Sequence, residues 1–279
     1  HIRNPSGAVD RVITAGLAQA GLKTNETASD EVFVRRIYLD AIGRIPSAEE
    51  AASFLGSDVP DKRARLIDQL MLSDGYRSHQ FNWLADMLRH KSILKRSQFH
   101  YYERWIKDQI AANRPWDELV YKLLTAEGSL ASTAPAGYLL RDPGMPLDSL
   151  SNTLTIFLGA NVSCAQCHDH PLADWTQKEF YQMAAFFGAT DVSDRDPRKV
   201  GNKLKKGEIS KQDIIAVVAP NLARVETVDE QKLVFPEDYA YSDAKPGTKV
   251  KPELVFWERA DLQSDAYDVD TKKPEELRD

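Results

Sequence analysis

"LDSLSNTLTIFLGANVSCAQCHDHPLADWTQKEFYQMAAFFG", residues Leu147 to Gly188, decides how this chain is read. Apolar residues recur three and four places apart in LDSLSNTLTIFLG, the mark of one helix face, and the same period returns in TQKEFYQMAAFFG. Between the two patterns stand Cys164, Cys167, His168 and His170, and the chain has no other cysteine. The expectation is a helix that continues from Leu147 into the Cys-x-x-Cys-His run, then a second helix after Thr176.

Toward the N-terminus the same period repeats. SGAVDRVITAGLAQAGL sets Val9, Ile13 and Leu17 at fourfold spacing, and DEVFVRRIYLDAIGRIP sets Val34, Ile37 and Ala41 three and four places apart before Pro46 closes it. SAEEAASFLG carries Ser47 with Glu50 three places on, a capping-box signature, and Gly56 at its far end. DKRARLIDQLMLSDG and SHQFNWLADMLRH turn Leu66, Leu70, Phe81, Leu84 and Leu88 inward. SQFHYYERWIKDQIAANR and PWDELVYKLLTAEG add two more helices, the latter opened by Pro115 and Trp116. GSLASTAPAGYLLRDPGMP is the longest irregular stretch before the cysteines.

Beyond Gly188 the character changes. DIIAVVAP, ARVETV and KLVFP are short β-branched runs that predict a few strands, and KPELVFWERADLQSDAYDVDTKKPEELRD reads as an extended segment or a linker. The predicted architecture is mainly α, a multi-helix bundle-like haem domain over residues 1–188. An irregular or short-strand region over 189–279 packs on it. With about 160 residues of helix ahead of the motif, this is not the small class I cytochrome c fold, which carries its attachment motif near the N-terminus.

The haem in that prediction comes from the cysteine spacing. Cysteines at i and i+3 share one face of a helical turn, so both sulfurs can form thioethers to the vinyl groups of a single haem. A histidine at i+4 is then held beneath the iron. Cys164 and Cys167 are therefore the candidate thioether residues of one covalent haem c, and His168 is its proximal ligand. His170 cannot swing to the opposite face and is read as a supporting group. It would hydrogen-bond a propionate or fix a local turn with Asp169 and Asp174. The opposite face must be served from elsewhere, with Met145 in RDPGMPLD and His100 in QFHYYERW as the leading candidates and Met183, His90, His79, Met71 and Met87 behind them, unless the iron stays five-coordinate. Arg141 is a candidate propionate partner.

Two other chemistries fit the same residues. A structural zinc ion wants four ligands, and Cys164, Cys167 and His170 supply three, with Asp174 or a distant histidine as the fourth. A redox-active disulfide prefers a strand-to-helix context, whereas the residues before Cys164 read as helical. An open haem iron with His100 nearby would make the chain an enzyme.

Composition narrows the remaining classes. At 42% hydrophobic and 28% charged, the 279 residues fall in the ordinary globular range. A net charge of −6 gives no bulk attraction to nucleic acid or to an anionic membrane. The basic stretch RDPRKVGNKLKKGEISK, from Arg195 to Lys211, is interrupted by glycine, proline and acids and lacks interleaved aromatics. No apolar run approaches the ~20 residues that span a bilayer, and HIRNPSGAVD shows no targeting signal. Gly-rich nucleotide loops, His-Glu-x-x-His and Gly-x-Ser-x-Gly are absent. Covalent haem is attached on the outer side of the energised membrane, so the expected compartment is periplasmic or otherwise extracytoplasmic. Haem would also consume both cysteines and leave none for disulfides.

RIYLDAIGRIPSAEEAASFL, NRPWDELVYKLLTAEG, the Gly144–Gly188 stretch and PEDYAYSDAKPGTKVKP together resemble the second planctomycete cytochrome-like domain, a family of unknown function. The resemblance runs from about Asp30 to about Pro252 and is most specific from Cys164 to Phe187. It implies Cys164, Cys167 and His168 as haem residues and marks Asp169, His170, Asp174 and Trp175 as part of the same motif. It further implies a module of a larger exported protein, and the haem read from the motif gives electron transfer or redox sensing as the expected role. Its partners would be a redox protein or adjacent domains of the same polypeptide.

Overall fold

The structure is a computed structural model that describes residues 5–94, 97–194, 221, 223–228 and 230–255. Two compact units divide the chain, residues 1–79 and residues 80–279.

In the first unit, α1 (Pro5–Gln19), α2 (Asp30–Ile42), α3 (Ala48–Leu55) and α4 (Lys62–Met71) fall where the apolar period places them, and α5 (Asp74–Met87) leads onward. The α2 helix buries Val34, Tyr38 and Ala41 against Phe54 of α3 and Leu66 and Leu70 of α4. It stops at Gly43, ahead of the expected Pro46, because Gly43 takes a left-handed φ of 73° and its amide closes back on Leu39. The Ser47 box at α3 is complete. The Glu50 amide donates to the Ser47 hydroxyl at 3.1 Å, and the Ser47 amide donates to the Glu50 carboxylate at 2.7 Å. Arg44 grips the same carboxylate with two bonds of 2.7 and 2.8 Å. That guanidinium, followed by the Ser47 amide, pulls Glu50 down to about 2. The α1 helix forms as read, but its apolar stripe lies in water, with Val9 57% and Ile13 55% exposed.

The second unit holds α6 (His100–Ala111), α7 (Trp116–Leu124), α8 (Pro146–Leu158) and α9 (Gln177–Ala184). A small ribbon of β1 (Ile93–Leu94) and β2 (Ser97–Gln98) precedes α6, a hairpin that no alternation in the sequence announced. The strands β3 (Gly128–Ser129), β4 (Thr190–Asp194) and β5 (Ala223–Thr227) form an antiparallel sheet in the order β3-β5-β4, with Val192 opposite Val225. The change of character at Gly188 therefore falls inside this unit, where a strand from 128–129 pairs with one beyond 220. ARVETV becomes β5 as predicted. KLVFP gives a single bridge, Val234 to Lys249, not a strand, and Pro236, lacking an N–H, ends any ladder there. The DIIAVVAP run, the basic Arg195–Lys211 stretch and residues 256–279 lie outside the described residues.

Two apolar cores fill the second unit. One gathers Tyr102, Ile106, Leu123, Leu130 and Val225. The other joins Leu150 and Leu154 of α8 and Phe180 of α9 to Val162, Ala165 and Val250, and it underlies the cysteine loop. The fold is mainly α with one small sheet, and it is not the class I cytochrome c fold. No helix among the described residues is long and apolar enough to cross a membrane.

Two predictions follow from these contacts. Tyr102 is 1% exposed, and its hydroxyl has no hydrogen-bond partner among the described residues. Tyr102→Phe deletes that stranded group and should raise stability by about 1 kcal/mol in urea unfolding. Gly137→Ala should lower it by about 1–3 kcal/mol, because the new Cβ would stand 2.5 Å from the Tyr102 ring. A Tyr102→Phe variant that unfolds at lower urea would contradict this account. The second concerns pH. Glu50 holds its proton more weakly folded, at about 2, than at its ordinary 4.5. Its contribution is therefore complete above pH 4.5 and disappears as the pH falls toward 2. Glu50→Gln should cost about 1 kcal/mol near neutrality, the pair being partly solvent-screened, and nothing at the acid end. An equal loss at both pH values would refute the linkage.

Candidate functional site

The cysteine loop is built by three local devices. Pro146 opens α8 at its first turn, and Leu150 and Leu154 turn that helix into the core. The helix then ends at Leu158, since Gly159 adopts φ 65° and the Gly159 and Ala160 amides close on the Leu154 carbonyl. The helix expected to run into the motif thus stops before it. Cys164 instead lies in a separate 3₁₀ turn, Ser163–Gln166, capped by Cys167. A 3₁₀ turn has three residues per turn, so side chains at i and i+3 eclipse. Val162 and Ala165 form the inward pair, 2% and 0% exposed. Cys164 and Cys167 form the outward pair, and both are exposed free thiols. The Cys167 and His168 amides close the turn on the Cys164 carbonyl at 3.2 and 3.3 Å.

Past the turn the loop is fixed by Asp169. Its carboxylate accepts the Gln177 amide at 2.8 Å, the first residue of α9, while Thr176 and Glu179 complete a capping box on the same helix end. Gln177, 2% exposed, donates its side-chain amide to the Gln166 carbonyl at 3.0 Å. The Asp169 amide donates to the Tyr241 hydroxyl at 2.9 Å. The Asp169 carbonyl lies 2.7 Å from Nδ1 of His168. A carbonyl can only accept, so His168 donates from Nδ1, and in the neutral ring the lone pair is then on Nε2. His170 is set the other way, since its Nδ1 accepts the Leu172 amide at 3.2 Å and its proton belongs on Nε2.

Behind the loop runs a series of rings. Tyr181 packs on Phe235 at 5.7 Å, Phe235 on Tyr239 at 5.0 Å and Tyr239 on Tyr241 at 5.6 Å. Burial, then the charges of Cys167 and Asp238, hold the Tyr181 hydroxyl above its ordinary range. Burial and a 2.7 Å bond to Asp243 do the same to Tyr239, with Asp169 and Tyr241 adding to it.

Cys164, Cys167, His168 and His170 thus share one surface loop. The other candidates have partners elsewhere. Arg141 donates Nε to the Arg89 carbonyl at 3.1 Å, next to the Arg89–Asp142 ion pair. Met145, 48% exposed, precedes α8 and lines a narrow cleft with Leu139, Pro146, Ser149, Phe187 and Val192. An adjoining hollow of about 220 Å³ is bounded by Pro146, Phe187, Asp191 and Lys232, and no residue of the cysteine loop lines either one. His100 opens α6, exposed and packed on the neighbouring Tyr101 ring at 4.1 Å. Among the described residues no group of three His, Cys, Asp or Glu side chains is gathered to hold a metal ion. Sequence reading missed the Asp169 cap, although the Thr176-x-x-Glu179 box beside it carries the same signature as Ser47-x-x-Glu50. It also missed Tyr241, 72 residues from its partner, for which no local signal exists.

Residues 8–192 match the family model PSCyt2, described as a protein of unknown function (DUF1549). That is more than half of the chain, which therefore belongs to this family. The match starts earlier than the Asp30 read from the sequence and ends at residue 192, short of PEDYAYSDAKPGTKVKP. No curated protein and no solved structure matches.

Asp169→Ala should leave the first amide of α9 unbonded and cost about 1 kcal/mol, as for other helix caps. Amide exchange in the first turn of α9 should quicken with it. Unchanged exchange there would mean that the carboxylate does not hold the helix start.

Proposed function

We propose that this member of the PSCyt2 family is an extracytoplasmic c-type cytochrome module that carries one covalent haem for electron transfer or redox sensing. One observation carries the reading. The turn that buries Val162 and Ala165 leaves Cys164 and Cys167 as exposed free thiols, and His168, the next residue, donates from Nδ1 to a carbonyl, which in the neutral ring leaves its lone pair on Nε2. These residues fit the group. Cys164 and Cys167 would hold it through thioethers, His168 would ligate its iron through Nε2, and the bound haem would supply a reversible one-electron couple. The chain's own part is to fix the imidazole. The Asp169 carbonyl orients the His168 ring and strengthens it as a ligand, as partners of ligating histidines do. Export follows from the reading, because covalent haem is attached outside the cytoplasm. Partners would be a redox protein or neighbouring domains of a longer polypeptide.

A zinc ion on Cys164, Cys167 and His170 gains no support, since the Nδ1 lone pair of His170 is already occupied by the Leu172 amide. The decisive measurement is an alkaline pyridine haemochrome spectrum with intact mass, on protein exported from cells with a c-type maturation system. One haem's added mass is expected, abolished in Cys164→Ala/Cys167→Ala. Stoichiometric zinc without haem, while a control cytochrome matures, would end the proposal.

A further inference from the structure

Residues 231–255 lie wholly outside the family match, yet they form a strap along the cysteine loop. The strap closes on itself. The Phe235 amide donates to Thr248, Gly247 to Phe235 and Val250 to Leu233, at 2.9 to 3.1 Å. Buried Gln231 joins both of its arms, accepting the Leu233 amide and donating to the Val250 carbonyl. It is also tied to α9, where the Glu253 carboxylate receives the Gln182 side-chain amide. Its ring series, Phe235–Tyr239–Tyr241, ends with the Tyr241 hydroxyl accepting the Asp169 amide.

That amide belongs to the peptide between His168 and Asp169, and the next carbonyl along the chain is the one that takes the His168 Nδ1 proton. We infer that Tyr241 is a positioning residue for His168. By anchoring the peptide that follows His168, it holds the Asp169 carbonyl against Nδ1 and so sets the orientation and donor strength of the imidazole. The Asp169 carboxylate, fixed by the Gln177 amide, is the second anchor of the same residue. A strap outside the family match would in this way tune the loop that the match contains. The effect on a bound haem rests on the function proposed above; the anchoring of the loop does not.

Tyr241→Phe keeps the ring and removes only the hydroxyl. In the haem-free full-length chain, the Asp169 amide should exchange roughly tenfold faster, the worth of one such hydrogen bond. The amides of Phe235 and Val250 should stay as they are, and Tyr121→Phe, an exposed tyrosine on α7, should change nothing. In the haem-loaded protein the same variant should shift the reduction potential upward, because a looser carbonyl leaves the histidine a weaker donor to the oxidised iron. Unchanged exchange at Asp169 would overturn the inference. So would acceleration spread equally over Phe235 and Val250, since Tyr241 would then merely hold the strap folded. Faster exchange with an unmoved potential would overturn the tuning of the ligand. If the chain takes up no haem, the function proposed above falls, while the exchange measurement still decides the anchoring.

Discussion

Asp169 uses each of its polar groups on a different part of the second unit. Its carboxylate takes the first amide of α9, its amide is held by Tyr241, and its carbonyl receives the His168 ring. One residue therefore couples the start of a helix, a strap far along the chain and the imidazole of the cysteine motif. A helix start has unpaired amides and a partial positive charge, so a carboxylate there is both capped and electrostatically favoured. Once the carboxylate is fixed, the loop between Cys167 and Thr176 has lost its freedom at the residue next to His168. The orientation of the imidazole is thus a consequence of how α9 begins.

The cysteines are presented by a related economy of backbone. An α-helix running through residues 160–168 would have separated i and i+3 by about 60° around its axis, at 3.6 residues per turn. The left-handed Gly159 ends α8 early, and the tighter turn that follows leaves both thiols exposed. Val162, just ahead of the turn, and Ala165 within it are buried, and that burial holds the turn in place. Apolar packing below the turn and thiol exposure above it are one arrangement.

What could be read in advance was local. The stripes of α2 and α4 and the Ser47–Glu50 box each lie within a few residues, and each became the element expected, whereas the Cys-x-x-Cys-His run, read as helix, lies in a 3₁₀ turn beyond the end of α8. The same local reading placed α1 but could not tell that Val9 and Ile13 would face water, since periodicity reports a face and not what covers it. Gly159 was visible, yet a glycine late in an apolar run reads equally as a tolerated interior residue. The β3–β5 pairing and the Tyr241–Asp169 bond join residues roughly a hundred and 72 places apart, and such contacts leave no period behind. The strap illustrates this well. KLVFP suggested a strand, while its structural weight comes from side chains, Gln231 and the rings of Phe235 and Tyr239.

The two histidines of the motif show why spacing alone under-determines chemistry. Both follow Cys167 closely, both are on the surface loop, and either could be drawn as a metal ligand. Their backbone partners separate them. His168 faces a carbonyl, which demands a proton on Nδ1 and leaves Nε2 as a lone pair. His170 faces an amide, which takes the Nδ1 lone pair and places the proton on Nε2. In the neutral rings the first therefore offers a lone pair at Nε2 and the second a proton there. Spacing places the two rings two residues apart, and the backbone groups they meet make them different partners.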